Sequence, residues 1–162
     1  MQEHGSMNDG SAELARTIGD IGQTIIVLSG KGGVGKSTVA VNIAIGLSRE
    51  GYNVGLLDVD IHGPSIPTML GIAGQRADTV GDRLLPLKTN GLSVISLGLL
   101  LDGRDDAVIW RGPMKAGVIK QFLSEVEWGP LDFLVVDCPP GTGDEPLSII
   151  QLLPERRHAI VV

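Results

Sequence analysis

Aromatic residues are scarce: two tryptophans, one tyrosine and two phenylalanines make up 3% of 162 residues. A core must therefore be aliphatic, which a 43% hydrophobic content allows within one domain. A single cysteine, Cys138, excludes an internal disulfide, cannot hold a metal cluster alone, and suits a reducing compartment. The sequence has no apolar run long enough to span a bilayer and no signal-peptide pattern, so a cytoplasmic location is expected. The net charge of −6 comes without a basic block, so no nucleic-acid partner is evident, nor a membrane one. Glycine, by contrast, is abundant at 23 residues and gathers between apolar runs, as in a loop-rich α/β protein.

The richest of these glycine clusters is Gly30-Lys31-Gly32-Gly33-Val34-Gly35-Lys36-Ser37, a full G-x-x-x-x-G-K-S phosphate-binding loop. Its glycines let successive backbone N–H groups turn inward on phosphate oxygens. Lys36 can reach the β- and γ-phosphates, and the Ser37 hydroxyl can ligate Mg²⁺. Residues 24–29 form an apolar, β-branched run expected to be a buried strand. Residues 39–49 read as a helix with Val39, Ile43 and Leu47 on one face. That helix would aim its positive N-terminal end at the anion. Gly30, Gly32 and Gly35 also satisfy the dinucleotide pattern G-x-G-x-x-G, with Asp58 at the end of the next strand. That fingerprint has no role for Lys36-Ser37, and two further acidic motifs stand where a Mg²⁺–triphosphate site needs them.

Residues 1–23 are polar and read as a flexible tail with a short helix around 12–18; residues 24–162 read as the folded domain. Further strands are expected at 52–57, 84–88, 92–97, 132–136 and 159–162, and helices at 68–70, 113–126 and 145–153. Residues 63–67 form a turn with two helix-disfavouring prolines, and 73–81 an exposed loop. Asn90-Gly91 signals a hairpin. Strands alternating with helices imply an α/β fold, a mostly parallel sheet covered on both faces. Because the chain stops inside an apolar strand, the domain is expected to be the N-terminal portion of a longer one, or else an atypically short one.

Two strand ends then supply acid. Asp58-Val59-Asp60-Ile61-His62-Gly63-Pro64-Ser65 opens onto the same crevice as the phosphate loop, since parallel strands share polarity. One of its carboxylates can orient a water for attack on the γ-phosphate and the other can help hold Mg²⁺; a solvated acidic turn is the alternative. His62 reads as a surface or supporting residue. Asp137, after an apolar run, forms a Walker B element that would bind Mg²⁺ through a water. The following Cys138-Pro139-Pro140-Gly141-Thr142-Gly143-Asp144 can sense the γ-phosphate as a switch, or be a rigid turn. Cys138 reads as a small buried residue. Trp110-Arg111-Gly112-Pro113-Met114 can be a partner-contact turn or plain surface.

Taken together, these residues resemble the Mrp/Nbp-type family of ATP-binding iron–sulfur cluster carriers, within the deviant Walker A P-loop ATPases that include the MinD and ParA types. Lys31 with Gly32-Gly33-Val34-Gly35-Lys36-Ser37-Thr38 matches the wider class. Asp58-x-Asp60-x-x-Gly63-Pro64-Ser65-x-Pro67, Trp110 to Met114, and Asp137-x-Pro139-Pro140-Gly141-Thr142-Gly143-Asp144 look like the carrier branch. The resemblance implies a homodimer that sandwiches two ATP molecules and uses slow hydrolysis as a conformational switch. In it Lys31 would reach across to the partner's nucleotide, Lys36 would bind in cis, and Thr38 would help hold the α-phosphate. Ser37 and Asp137 would serve Mg²⁺, and Asp60 would orient the attacking water. Recipients would be iron–sulfur apoproteins. The family's downstream Cys-x-x-Cys pair for a [4Fe–4S] cluster has no match here, and Cys138 corresponds to neither ligand. A MinD/ParA-like positioning ATPase, acting on a membrane or nucleoid surface, is the alternative.

Overall fold

The computed structural model describes residues 6–60, 65–101, 120, 123–153 and 155–162. In chain order these give α1 (Ser6–Gly19), β1 (Ile21–Leu28), α2 (Lys36–Arg49), β2 (Val54–Asp58), α3 (Ile66–Met69), β3 (Thr79–Val80), β4 (Arg83–Leu84), β5 (Leu87–Thr89), β6 (Leu92–Ser96), α4 (Leu97–Leu101), β7 (Leu131–Asp137), α5 (Asp144–Leu152) and β8 (Arg157–Val161). Six strands form one sheet in the order β5-β6-β2-β7-β1-β8. All neighbours run parallel except β5, which pairs antiparallel with β6 at one edge.

Apolar residues on successive strand positions bury both faces, as a parallel sheet requires. On one face Leu56, Val94, Val135 and Val27 pack with Ala40, Val41 and Ala44 of α2 and with Ile66 of α3. On the other, Leu57, Ile95, Val136 and Ile26 pack with Leu123, Trp128 and α5 residue Ile149, with Leu14 of α1 alongside. The α2 face is thus built on alanines, which let the helix approach the sheet closely; Val39, Ile43 and Leu47, the expected face, flank it half-buried.

Several boundaries differ from the sequence reading. The first strand starts at Ile21 rather than residue 24: Ile21 is buried and pairs with Leu131. The polar stretch before it is helical over Ser6–Gly19, and Thr17 is buried. The expected strand 84–88 divides, because Pro86 has no N–H to give a ladder. Arg83–Leu84 pairs instead with Thr79–Val80 in the supposed loop, and Leu87–Thr89 pairs with β6. Pro67 lies within α3, in the first turn, where its missing N–H costs nothing. The hairpin is as expected: Asn90 (φ 51) and Gly91 (φ 76) supply the two left-handed residues of a type I′ turn. β8 lies at the sheet edge among the described strands, with Arg157, His158, Ala159 and Val161 exposed. Of the helix expected at 113–126, residues 120 and 123–125 are helical; its other positions up to 122, together with His62, Gly63, Pro64 and the Trp110 to Met114 motif, lie outside the described residues.

Candidate phosphate-binding site

β1, β2, β6 and β7 end at one level of the sheet. Asp58 is in register with Ser96 on one side and Asp137 on the other, and Asp137 is in register with Val27. Since Leu56 and Val135 face α2, the residues two further along, Asp58 and Asp137, lie on that same face. This parity brings Asp137 under the start of α2. The loop between β1 and α2 turns on Gly33 (φ 77) and Gly35 (φ 96), a backbone region that side chains other than glycine's rarely adopt. Gly35 caps α2 without any side-chain hydrogen bond, and no acid sits in the first turn, so the helix presents its positive end to the cavity in front.

Lys36 and Ser37 open α2, and both fold back on Asp137. The Lys36 Nζ donates to Asp137 Oδ1 at 2.5 Å, and the Ser37 hydroxyl donates to Asp137 Oδ2 at 2.5 Å. Lys36 Nζ also lies 3.4 Å from Ser37 Oγ and 3.8 Å from Asp60 Oδ2. Burial pushes the Asp137 carboxyl above its ordinary value, while the Lys36 and Ser37 hydrogen bonds and the lysine's charge pull it down.

The cavity has a volume of about 390 Å³ and is walled by Ser29, Lys31, Gly32, Gly33, Gly35, Lys36, Ser37, Thr38, Asp60, Ser65 and Pro140. Most of the phosphate-loop residues singled out in the sequence therefore converge there; Gly30 and Val34 belong to the loop but not to the wall. The loop after β7 is pinned to the same place, with Cys138 N donating to Val27 O at 3.2 Å and Gly141 N to Ser29 O at 2.9 Å.

Asp58 departs from expectation. It is 1% exposed and does not line the cavity. Its Oδ1 accepts from the Asp60 backbone N–H at 3.0 Å and its Oδ2 from the Ser96 hydroxyl at 2.8 Å. Burial pushes its carboxyl up to about 7, against the opposing pull of those two hydrogen bonds. Sequence reasoning gave no role to Ser96, which follows no motif, or to Ser29, whose hydroxyl is buried at the cavity wall without a partner among the described residues.

Comparison with known proteins agrees with this geometry. The ParA family described as NUBPL iron-transfer P-loop NTPase matches residues 20–162. The chain is 56% identical over 142 residues, 86% of its length, to the cytosolic Fe-S cluster assembly factor NUBP2 homolog of Monosiga brevicollis, covering 50% of that protein. It is 49% identical over 152 residues, 93% of its length, to the iron-sulfur cluster carrier protein of Methanocaldococcus jannaschii, covering 52%. The chain thus spans about half the length of the curated relatives it matches. Among solved structures, a nucleotide-binding protein from Archaeoglobus fulgidus in complex with ADP shares 39% identity at a TM-score of 0.79, covering 93% of this chain and 58% of that one. The cell division ATPase MinD of Pyrococcus furiosus, at 24% identity and a TM-score of 0.58 over 87% of this chain and 59% of its own, shares the fold. A family match over nearly the whole domain, a phosphate loop built on two left-handed glycines and an α/β sheet of P-loop NTPase architecture lead to one assignment: the chain belongs to the NUBPL iron-transfer P-loop NTPase family.

Proposed function

We propose that the full-length protein binds ATP with Mg²⁺, hydrolyses it slowly, and acts as a homodimeric cytoplasmic carrier that hands iron–sulfur clusters to apoproteins. The observation that carries the ATP part is the convergence of Lys36, Ser37 and Asp137 at the uncapped start of α2. The carrier part rests on relatives about half identical to this chain whose names state that role.

In this reading the Lys36 ammonium moves from Asp137 and Asp60 onto the β- and γ-phosphate oxygens, and the loop N–H groups hold the rest of the polyphosphate. Thr38 supports the α-phosphate. Lys31, exposed at the cavity rim, reaches the nucleotide of a second copy. Asp60 lines the cavity and orients the attacking water. The residues present fit Mg²⁺: the Ser37 hydroxyl and Asp137 carboxylate are hard oxygen donors side by side, and the Ser29 hydroxyl at the cavity wall has no partner among the described residues. Held by Ser37 and Asp137, such an ion would offset the negative charge of the polyphosphate. Asp58 leaves that set, because both its oxygens are engaged away from the cavity.

A [4Fe–4S] cluster, as cargo, does not fit these residues. Cys138 is 0% exposed with its thiol pushed up to about 12 by burial. Among the described residues, no group of three or more His, Cys, Asp or Glu is placed to hold a metal. We therefore assign the cluster to the remainder of the full-length protein. The positioning alternative is less favoured, since MinD likeness at 24% identity reaches the fold alone. No helix among the described residues is long and apolar enough to cross a membrane.

The test is reconstitution of full-length protein with iron and sulfide. A bound cluster that restores an apoprotein's activity, with nucleotide binding lost in Lys36→Ala, is expected. Failure to acquire a cluster, with ATP-dependent sedimentation on vesicles or DNA, would favour the positioning reading.

A further inference from the structure

Asp60, which lines the cavity, is joined to Asp58 and Ser96 by a chain of buried hydrogen bonds. Asp60 N donates to Asp58 Oδ1 at 3.0 Å, the Ser96 hydroxyl donates to Asp58 Oδ2 at 2.8 Å, and Gly98 N donates to Ser96 Oγ at 3.2 Å. Asp58 and Ser96 are each 1% exposed and Asp60 8%, so water does not compete for these bonds. They join three elements: the turn after β2, the end of β6 and the start of α4. In-register pairing of Asp58 with Ser96 fixes the middle contact through the sheet ladder itself.

We infer that Asp58 and Ser96 are positioning residues for hydrolysis, a relay that fixes the backbone of Asp60 and ties it to the β6–α4 junction. This rests on the proposed role of Asp60 in orienting the attacking water. Asp60 follows β2 by two residues; Val59 N still donates to Asp137 O at 3.1 Å, and the bond from Asp60 N to Asp58 Oδ1 carries the tether one residue further, onto the main chain whose carboxylate lines the cavity. The Asp58 side chain thus contributes a buried tether to that main chain. A carboxylate bonded on one oxygen alone could rotate about its Cβ–Cγ bond; the Ser96 hydroxyl removes that freedom. The Ser96 hydroxyl is in turn oriented by accepting from Gly98 N, which leaves its proton for Asp58. None of the three bonds involves Lys36 or the phosphate loop, so loss of the Ser96 hydroxyl is expected to fall mainly on the chemical step rather than on nucleotide affinity.

The experiment uses the full-length protein and four variants: Ser96→Ala, Ser96→Thr, Asp60→Ala and the Ser96→Ala/Asp60→Ala double. Ser96→Ala is expected to lower kcat for ATP hydrolysis about tenfold, as loss of alignment does, with ATP affinity unchanged within about twofold. Ser96→Thr, which restores a hydroxyl on a β-branched side chain suited to a strand, should recover most of kcat. In the Asp60→Ala background Ser96→Ala should have no further effect, a non-additivity that general destabilisation would not produce. Unchanged kcat in Ser96→Ala, or additive losses in the double variant, would overturn the relay. Unchanged kcat in Asp60→Ala would instead overturn the water-orienting role on which it rests.

Discussion

The Lys36 ammonium and the Asp137 carboxylate, 101 positions apart in sequence, meet at 2.5 Å in a place largely shielded from solvent, at 6% and 1% side-chain exposure. A buried ion pair is costly to assemble and costlier to halve, because the survivor keeps its desolvation penalty. Lys36→Ala should therefore destabilise the fold by roughly 3 kcal/mol at neutral pH. The loss should shrink on acidification, since Asp137 can then take a proton and needs no cation. Urea unfolding at about pH 5 and about pH 7.5 reads both; an equal loss at the two would show that the pair's charge is not what matters.

Asp58 sets a second pH dependence. Its carboxyl stands at about 7 in the folded chain against 3.8 in the unfolded one. Between those values the folded state holds the proton and the unfolded state does not, so stability falls as pH rises through that window. Asp58→Asn, which cannot ionise, removes this slope. The difference in unfolding free energy between wild type and variant should move in the variant's favour from about pH 4 to about pH 8, by at most ~4 kcal/mol. Parallel stability curves would rule this out.

The phosphate loop was legible because its residues act locally: a strand, glycines able to take positive φ, then a helix carrying lysine and serine. The Asn90-Gly91 turn was legible for the same reason, as two residues decide it. The surroundings of Asp58 were not legible, because the sequence shows an acid at a strand end but not which way its oxygens face. That depends on Ser96, 38 residues away, brought alongside only by the β2–β6 register. Ala40 and Ala44 were missed as the contact face of α2 because the larger Val39, Ile43 and Leu47 dominate any hydrophobic pattern, while close approach to a sheet selects small residues. The start of β1 was placed late because Gly22 and Gln23 interrupt the apolar run, yet their backbone continues the strand and Gly22 lies so near Asp132 that a Cβ would meet its carbonyl at 2.8 Å.

Gly55 tests the opposite sheet face. A Cβ there would come 2.6 Å from Leu131 Cδ1, 3.0 Å from Leu134 Cδ1 and 3.1 Å from Trp128 Cε3. Those three side chains are buried, so they have little room to yield. Gly55→Ala should cost about 1–3 kcal/mol in unfolding free energy, and Trp128 should report a shifted fluorescence maximum. A variant as stable as wild type would mean that the leucine tips re-rotamerise freely.

Cys138 follows Asp137 directly, yet its chemistry should be silent. It is 0% exposed and burial raises its thiol to about 12, with the Asp137 charge pushing the same way and Lys36 opposing. The thiolate is the reactive form, and its fraction at about pH 8 would be on the order of 10⁻⁴ for such a thiol. Iodoacetamide should therefore leave Cys138 unmodified in the folded chain and alkylate it once urea unfolds the protein, with peptide mass spectrometry scoring both. ATP should not change the result, because the residue is held between strands by its N–H bond to Val27 O and does not line the cavity. Rapid native labelling would place the thiolate within reach of solvent and reopen Cys138 as a metal or redox ligand.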